Sequence, residues 1–357
     1  MQSVVLVINP GSTSTKFAVF HGDRCIFDQT LNHSAEELSG FSTIASQYEF
    51  REKAIQEALK ERNFDMSSLN AVVGRGGLLH PIPGGIYRIN EAMKADLLAA
   101  RYGEHASNLG ALIADTFAKQ FGIPAFIVDP VVVDELEDVA RVSGHKLFKR
   151  ISIFHALNQK AVARRFAKER GINYEDITLI VAHLGGGISV GLHRKGRVID
   201  VNQALSGEGP FSPERSGTLP AGDLARLCFS GQYTLQEVLK MITGKGGMVS
   251  FLGTNNMRDI EHMRDQGNKE ADFYFQAFVY QVGKYIGSLA PVVEGKVDAI
   301  ILTGGIAFWK EVTERISQMV SFIAPVVVYP GEGELEALAI AGQMALSGEA
   351  EVKEYVP

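Results

Sequence analysis

Cysteine is nearly absent from this chain: Cys25 and Cys228 are its only two in 357 residues. So far apart, they can build neither a zinc cluster nor a disulfide framework, and both are expected as inert thiols packed like small hydrophobes. Long apolar runs are missing too. Stretches such as Val4–Ile8 and Ala299–Leu302 are strand-length, far below the roughly 18 residues of a membrane-spanning helix. No Lys/Arg block stands out, and 35 basic against 41 acidic side chains leave a formal charge of −6. That balance argues against a general grip on nucleic-acid phosphates, so any phosphate bound is expected to belong to a small molecule. Residues 1–9 enter a buried-strand pattern without a basic start or an apolar leader, so a cytoplasmic protein with no membrane or nucleic-acid partner is expected.

Glycine, by contrast, is plentiful. There are 37, about 10% where about 7% is usual, and they gather in Gly74-Arg75-Gly76-Gly77, Gly185-Gly186-Gly187, Gly244 to Gly247, Gly304-Gly305 and Gly331 to Gly333. Most of these follow β-rich runs, where a turn without Cβ atoms lets backbone amides approach an anion.

The chain also resembles itself. Val4 to Leu31 lies on Thr178 to Leu205 at an offset of about 174 residues, pairing Gly11 with Gly185, Gly22 with Gly196, Gln29 with Gln203 and Leu31 with Leu205. Both segments read as an apolar strand, a small-residue turn, an alternating strand, a tight glycine turn and a third strand. An offset of half the length predicts two similar domains, each opening on a three-stranded meander. The first is expected over 1–150 and the second over 151–330, with a last helix within 331–357 able to return to the first. Apolar periodicity predicts helices at Phe50–Arg62, Glu91–Arg101, Leu109–Phe121, from about Phe154, and at Leu224–Phe229, Leu235–Ile242, Ala271–Val292, Lys310–Val320 and Glu334–Leu346. Strands are expected at Ala71–Gly74, Ala125–Asp129, Asp298–Thr303 and Pro325–Tyr329. The fold class is α/β with mixed sheets flanked by helices.

The first glycine turn reads Asn9-Pro10-Gly11-Ser12-Thr13-Ser14-Thr15-Lys16. It offers amides, hydroxyls and one cation, but a strand follows and no second glycine precedes the lysine, so it is not a Walker A loop. A Ser/Thr-rich hairpin with an exposed lysine would read the same way. Its partner, His183-Leu184-Gly185-Gly186-Gly187, tilts the pair toward phosphate binding.

These two motifs resemble the paired signatures of the acetate kinase family, and the resemblance runs from about residue 3 to about residue 346. Val73-Gly74-Arg75-Gly76-Gly77, Glu104-His105-Ala106-Ser107-Asn108, Ile127-Val128-Asp129-Pro130, Glu214-Arg215-Ser216-Gly217 and Thr303-Gly304-Gly305-Ile306-Ala307 are most similar to its butyrate kinase branch. The resemblance implies duplicated actin-like ATPase (ribonuclease H-like) domains with a nucleotide cleft between them. It further implies reversible transfer of the ATP γ-phosphate to a short-chain carboxylate, with Mg2+, in a dimer or larger homo-oligomer. Butyrate is the expected acceptor, with isobutyrate, propionate and acetate as alternatives; a nucleotide switch or sensor is the non-enzymatic one.

Residue by residue, the resemblance assigns Arg75 to orienting the carboxylate and Arg215 and His155 to the transition state. A guanidinium stays charged and can fork onto carboxylate or phosphate oxygens. Asn9, Ser12, Ser14 and Lys16 on the first turn and His183, Gly185, Gly186 and Gly187 on the second are assigned to phosphates. Gly304, Gly305 and Ile306, with Asn256 and Arg258, are assigned to the nucleoside. His105 is a further substrate contact. Asp129 and Glu336 are assigned to magnesium with Asn9 as neutral partner, while Glu332 and Glu334 stand close enough to leave that register open. The chain departs from the family pattern where Ala156-Leu157-Asn158-Gln159 stands for Gly-Thr-Ser-His and where Ala307-Phe308-Trp309 stands for Gly-Glu-Asn.

Overall fold

The computed structural model describes residues 3–357. The chain divides into two compact units, one running to Val133 and including Gly333–Pro357, the other Asp134–Glu332.

In the first unit, β1 (Val4–Pro10), β2 (Ser14–His21), β3 (Arg24–Asn32), β4 (Ala71–Arg75), β5 (Ile86–Arg88), β6 (Ala125–Val128) and the edge strand Val352–Glu354 form one sheet. Its order is Val352–Glu354, β5, β6, β4, β1, β2, β3. β1 runs antiparallel to β2 and parallel to β4, and β4 parallel to β6. Val5, Leu6, Val7 and Ile8 are all fully buried, as strands covered on both faces require. Leu6 and Ile8 join a core with Leu109, Ile113 and Phe117 of the helix Asn108–Phe121. On the other face, Gly342 of the helix Glu334–Ser347 sits against Val5 and Val73.

The second unit repeats the plan. β7 (Thr178–Leu184), β8 (Ile188–Arg194), β9 (Arg197–Val201), β10 (Ala299–Gly304) and β11 (Val326–Pro330) are ordered β11, β10, β7, β8, β9. β7 is antiparallel to β8 and parallel to β10, as β1 is to β2 and β4. The expected repeat is therefore real, down to left-handed Gly22 and Gly196 in the second turns and register shifts at Val19/Phe20 and Leu192/His193. The helix Lys269–Leu289 buries Phe275, Phe278, Val282 and Ile286 on one face of the sheet. The helix Ala156–Arg170 packs Ala163 and Phe166 with Leu179, Val181 and Ile301 on the other.

Several expectations shift. Residues 134–150 go with the second unit: the Glu135 carboxylate accepts from Lys160 Nζ and from Val198 N at 2.8 Å, Glu137 N donates to Ile199 O at 2.9 Å, and Arg150 Nη1 to Asp200 at 2.9 Å. Halving the chain could not reveal bonds of this kind. Asp129 lies one residue beyond β6 rather than inside it. Cys25 and Cys228 are exposed rather than packed, because β3 is an edge strand and the helix Ala221–Cys228 buries none of its residues. β5, Val352–Glu354 and the helices Gly247–Leu252 and Met257–Asp265 were not foreseen.

Candidate active site

In the first unit the neighbouring ends of β1, β4 and β6 present Asn9, Arg75 and Asp129 along one edge of the sheet. The register sets Ile8 beside Gly74, and Arg75 beside Val128. Gly74 is there because a Cβ would lie 2.2 Å from Gly110 O, so strand and helix touch backbone to backbone and hold Arg75 fixed. Arg75 Nη1 donates to Asn9 Oδ1 at 3.1 Å and to Glu334 Oε2 at 3.0 Å, and Asn9 Nδ2 donates to Glu334 Oε2 at 2.6 Å. Both arginine bonds leave from Nη1, so neither uses the Nε/Nη2 edge that suits a bidentate carboxylate. Asp129 is buried at φ +36°, a conformation rare outside glycine. Its Oδ1 accepts from Gly85 N at 2.7 Å, and its own N donates to Gly85 O at 3.0 Å.

The acid that meets Asn9 is therefore Glu334. The expected Glu336, two residues on, is exposed and close enough to Cys25 to help raise that thiol's pKa, after burial and Asp28. Glu332 is exposed in the second unit.

The first turn closes with Gly11 N donating to Ser14 O at 2.7 Å, leaving Ser12 and Lys16 exposed and Ser14 half-buried. Beneath it lies Arg51, fully buried on the helix Tyr48–Glu61. Arg51 Nη1 donates to Gly11 O (2.7 Å), Ser14 O (3.0 Å) and Thr15 Oγ1 (3.2 Å), and Nη2 to Ser12 O (3.0 Å) and Gln47 Oε1 (2.8 Å). Burial lowers its pKa to about 10, which leaves it charged at neutral pH. A cation that draws the turn's carbonyls inward favours anions on the amide side. Sequence reasoning missed Arg51, which reads as one more surface charge in a polar helix.

The second turn is closed in the same way, Gly185 N donating to Gly187 O at 3.1 Å. Arg215 lies against it: a Cβ on Gly187 would fall 2.0 Å from Arg215 Nη1. Ser212 ties the two, its hydroxyl donating to Gly186 O at 2.6 Å and accepting from Arg215 N at 3.1 Å. Arg215 Nη1 donates to Ala204 O at 2.7 Å. Arg215 Nε is buried with no hydrogen-bond partner, the sole such side-chain atom among the described residues. Burial pushes the guanidinium pKa down, against a smaller upward pull from Glu214.

His155, immediately before the helix Ala156–Arg170, stacks on His183 with ring centroids 3.8 Å apart and planes 8° from parallel. His155 Nδ1 shares a hydrogen bond with Ser189 Oγ at 2.9 Å, and His183 Nδ1 with Asn158 Oδ1 at 2.7 Å. The residues that depart from the family pattern are thus the ones holding these rings. Gln159 bonds Ser189 and His193, and His193 bonds Tyr174. The departure itself was the available signal.

Gly304 stands at φ +90° with Leu184 so close that a Cβ would lie 2.4 Å from its carbonyl oxygen, which brings the Gly304-Gly305-Ile306 turn to the end of β7. Asn256 caps its own helix, accepting from Arg258 N at 3.1 Å, and Arg258 is exposed. Its neighbour Asn255 instead reaches Glu214 Oε2 at 3.0 Å. His105 is exposed, its Nδ1 2.8 Å from Ser107 Oγ. Among the described residues no three His, Cys, Asp or Glu gather as a metal cage, and no helix is long and apolar enough to cross a membrane.

Comparison with known proteins adds to this geometry. The Acetokinase family profile matches residues 139–324. Butyrate kinase 2 of Clostridium acetobutylicum is 57% identical over 355 residues, 99% of this chain and 100% of that protein. The chain belongs to the acetokinase family. A probable butyrate kinase of Listeria innocua is 52% identical over 98% of this chain and 99% of its own length. Acetate kinase of Porphyromonas gingivalis has a similar structure, with a TM-score of 0.78 at 19% identity, covering 97% of this chain and 100% of its own. A propionate kinase of Francisella tularensis gives 0.71 at 19% identity over 95% and 98%. These acetokinase structures share the actin-like ATPase fold, and the two repeated sheets described above are that fold's two halves.

Proposed function

We propose that this chain is a butyrate kinase, transferring phosphate reversibly from ATP to butyrate to give butyryl phosphate and ADP. Full-length similarity to butyrate kinases supports the acceptor. The structural observation that carries the chemistry is Arg215, a half-buried guanidinium whose buried Nε is unsatisfied, laid over a glycine turn.

A carboxylic acid has a pKa near that of Asp or Glu, so butyrate arrives ionised and needs no general base. One of its oxygens bonds to Pγ while the bond from Pγ to the bridging oxygen breaks and the electron pair leaves with ADP. The difficulty is bringing one anion onto another, so catalysis must come from positioning and from donors around the three phosphoryl oxygens. Arg75 presents its Nε/Nη2 edge to the carboxylate, while Asn9 and Glu334 hold Nη1. Arg215 and His155 donate to the transferring phosphoryl group. The amides of the two turns, with Ser12, Ser14 and Lys16, meet the other phosphates, His183 supports His155 by stacking on it, and the Gly304 turn meets the nucleoside.

Magnesium comes with the nucleotide in this proposal. The ion keeps most of its waters and takes one or two protein oxygens, which suits a structure with no acidic cage among the described residues. Asp129 at the end of β6 would hold it, with Asn9 at the end of β1 and the Glu334 that Asn9 binds. When bound, the cation screens the β- and γ-phosphate charges. A homo-oligomer, dimer or larger, belongs to the same proposal, and light scattering measures it.

The test is incubation with MgATP and carboxylates of two to six carbons, with hydroxylamine trapping of acyl phosphate. A maximum at butyrate is expected, with flanking activity on isobutyrate and propionate, since one buried methylene contributes about 0.8 kcal/mol, around fourfold. ATP binding with no acyl phosphate from any acid would replace the kinase by a nucleotide switch or sensor.

A further inference from the structure

The hydrogen bonds around the stacked histidines assign donors from their fixed ends inward. Ser189, fully buried on β8, offers its carbonyl oxygen to Gln159 Nε2 at 3.0 Å and its hydroxyl to the same nitrogen at 2.8 Å. A carbonyl can only accept, which fixes the orientation of the Gln159 amide. Gln159 Oε1 then faces His193 Nε2 at 3.0 Å, so that nitrogen carries the proton and His193 Nδ1 accepts from the Tyr174 hydroxyl at 2.7 Å. His193 is fully buried, and burial holds its pKa well below the usual value, as a neutral ring with one N–H requires. Ser189 Oγ receives Gln159 Nε2 at 2.8 Å and the His155 backbone N–H at 3.5 Å, which fill the two acceptor positions of a hydroxyl, so its own proton goes to His155 Nδ1.

The neighbouring residue does the opposite. Asn158 Nδ2 donates to the carbonyl of Glu332 at 2.5 Å and to Thr303 Oγ1 at 3.3 Å, so its Oδ1 must accept from His183 Nδ1.

We infer that Asn158 and Gln159, successive residues of one helix turn, are positioning residues that impose opposite tautomers on two stacked imidazoles: the proton on Nε2 in His155 and on Nδ1 in His183. His155 is thereby a hydrogen-bond donor while neutral, and its contribution to phosphoryl transfer needs no imidazolium. This also avoids two like charges 3.8 Å apart. Tyr174, His193, Gln159 and Ser189 form the relay that holds His155 in this state, and Gln159 is the member standing where the family pattern carries a second histidine.

The assignment rests on the kinase reading for its purpose but not for its test. Histidine-labelled 15N NMR of the full chain near neutral pH reads tautomers directly, with His155→Gln, His183→Gln and His193→Gln identifying the signals. Protonated Nε2 in His155 and His193 and protonated Nδ1 in His183 are expected. A His155 ring protonated on Nδ1 would overturn the proposal, whatever the enzyme does. In kinetics, Gln159→Leu should lower kcat by at least about tenfold, as wrong tautomers do, with KM for nucleotide and carboxylate within about threefold. Tyr174→Phe, a milder change at the far end of the relay, should lower kcat in the same sense and less. Unchanged kcat in both variants also overturns it. If the tautomers are found as expected and no carboxylate is phosphorylated, the kinase reading fails and this assignment stands.

Discussion

The two glycine hairpins start from the same topology and finish differently. Each joins an apolar central strand to an antiparallel neighbour, and each is closed by the N–H of its first glycine. The first is rich in hydroxyls and braced from beneath by Arg51, whose side chain is spent on the turn's own carbonyls. The second is three glycines, stripped of side chains so that Arg215 can lie on it, with His183 leading in and His155 stacked on His183. A charge whose donors are used up can hold a shape and attract an anion. A charge with a buried, unused Nε can meet a new oxygen as one develops. Duplication preserved strand register, and the chemistry diverged at the turns.

The sharpest way to break this contrast is to remove each arginine in turn. Arg215→Ala should lower kcat by about a thousandfold or more, the scale of losing a donor to the transferring phosphoryl group, while nucleotide binding by calorimetry changes little. Arg51→Met should do something else. It orphans the carbonyls of Gly11, Ser12 and Ser14, costing about 2–4 kcal/mol of stability by denaturant titration, and it raises nucleotide KM more than it lowers kcat. Equal kinetic profiles for the two variants would erase the distinction.

Smaller effects sharpen the first unit. Glu334→Gln should lower kcat/KM for the carboxylate by about tenfold, because a neutral amide holds Arg75 less firmly than a charged partner. Glu336→Gln should stay within about twofold, and the reverse ranking would return the role to Glu336. The smallest expected effect is one of pH on stability. His193 has its folded pKa depressed below the ordinary 6.5 by burial, so the unfolded chain binds more protons below that pH. Its contribution is fully present above about pH 6.5 and is lost as pH falls toward the folded value. The melting temperature should therefore decline from pH 7 to 5.5 more steeply in the native protein than in His193→Gln.

Much of this was readable in the sequence, for identifiable reasons. The meanders announce themselves because alternation and glycine turns are local, and a 174-residue offset needs only the chain compared with itself. The strand ends carrying Asn9, Arg75 and Asp129 follow, since parallel neighbours bring their ends to one edge. Arg51 was not readable: its role depends on which helix face meets the turn, and its own helix is polar. The choice between Glu334 and Glu336 turns on a side chain at a helix start, where two acids two residues apart point differently. The hold of the second unit on residues 134–150 depends on Glu135 meeting Lys160 and Val198, pairings that no local pattern encodes.

The reverse reaction offers the most direct measurement: butyryl phosphate with MgADP, following ATP formation in the native protein and in Arg215→Ala. Rapid ATP formation in the first, and its loss in a variant that still binds ADP, is the expected result. No ATP from the native protein, or an undiminished rate in the variant, would contradict the assignment of phosphoryl transfer to the second hairpin.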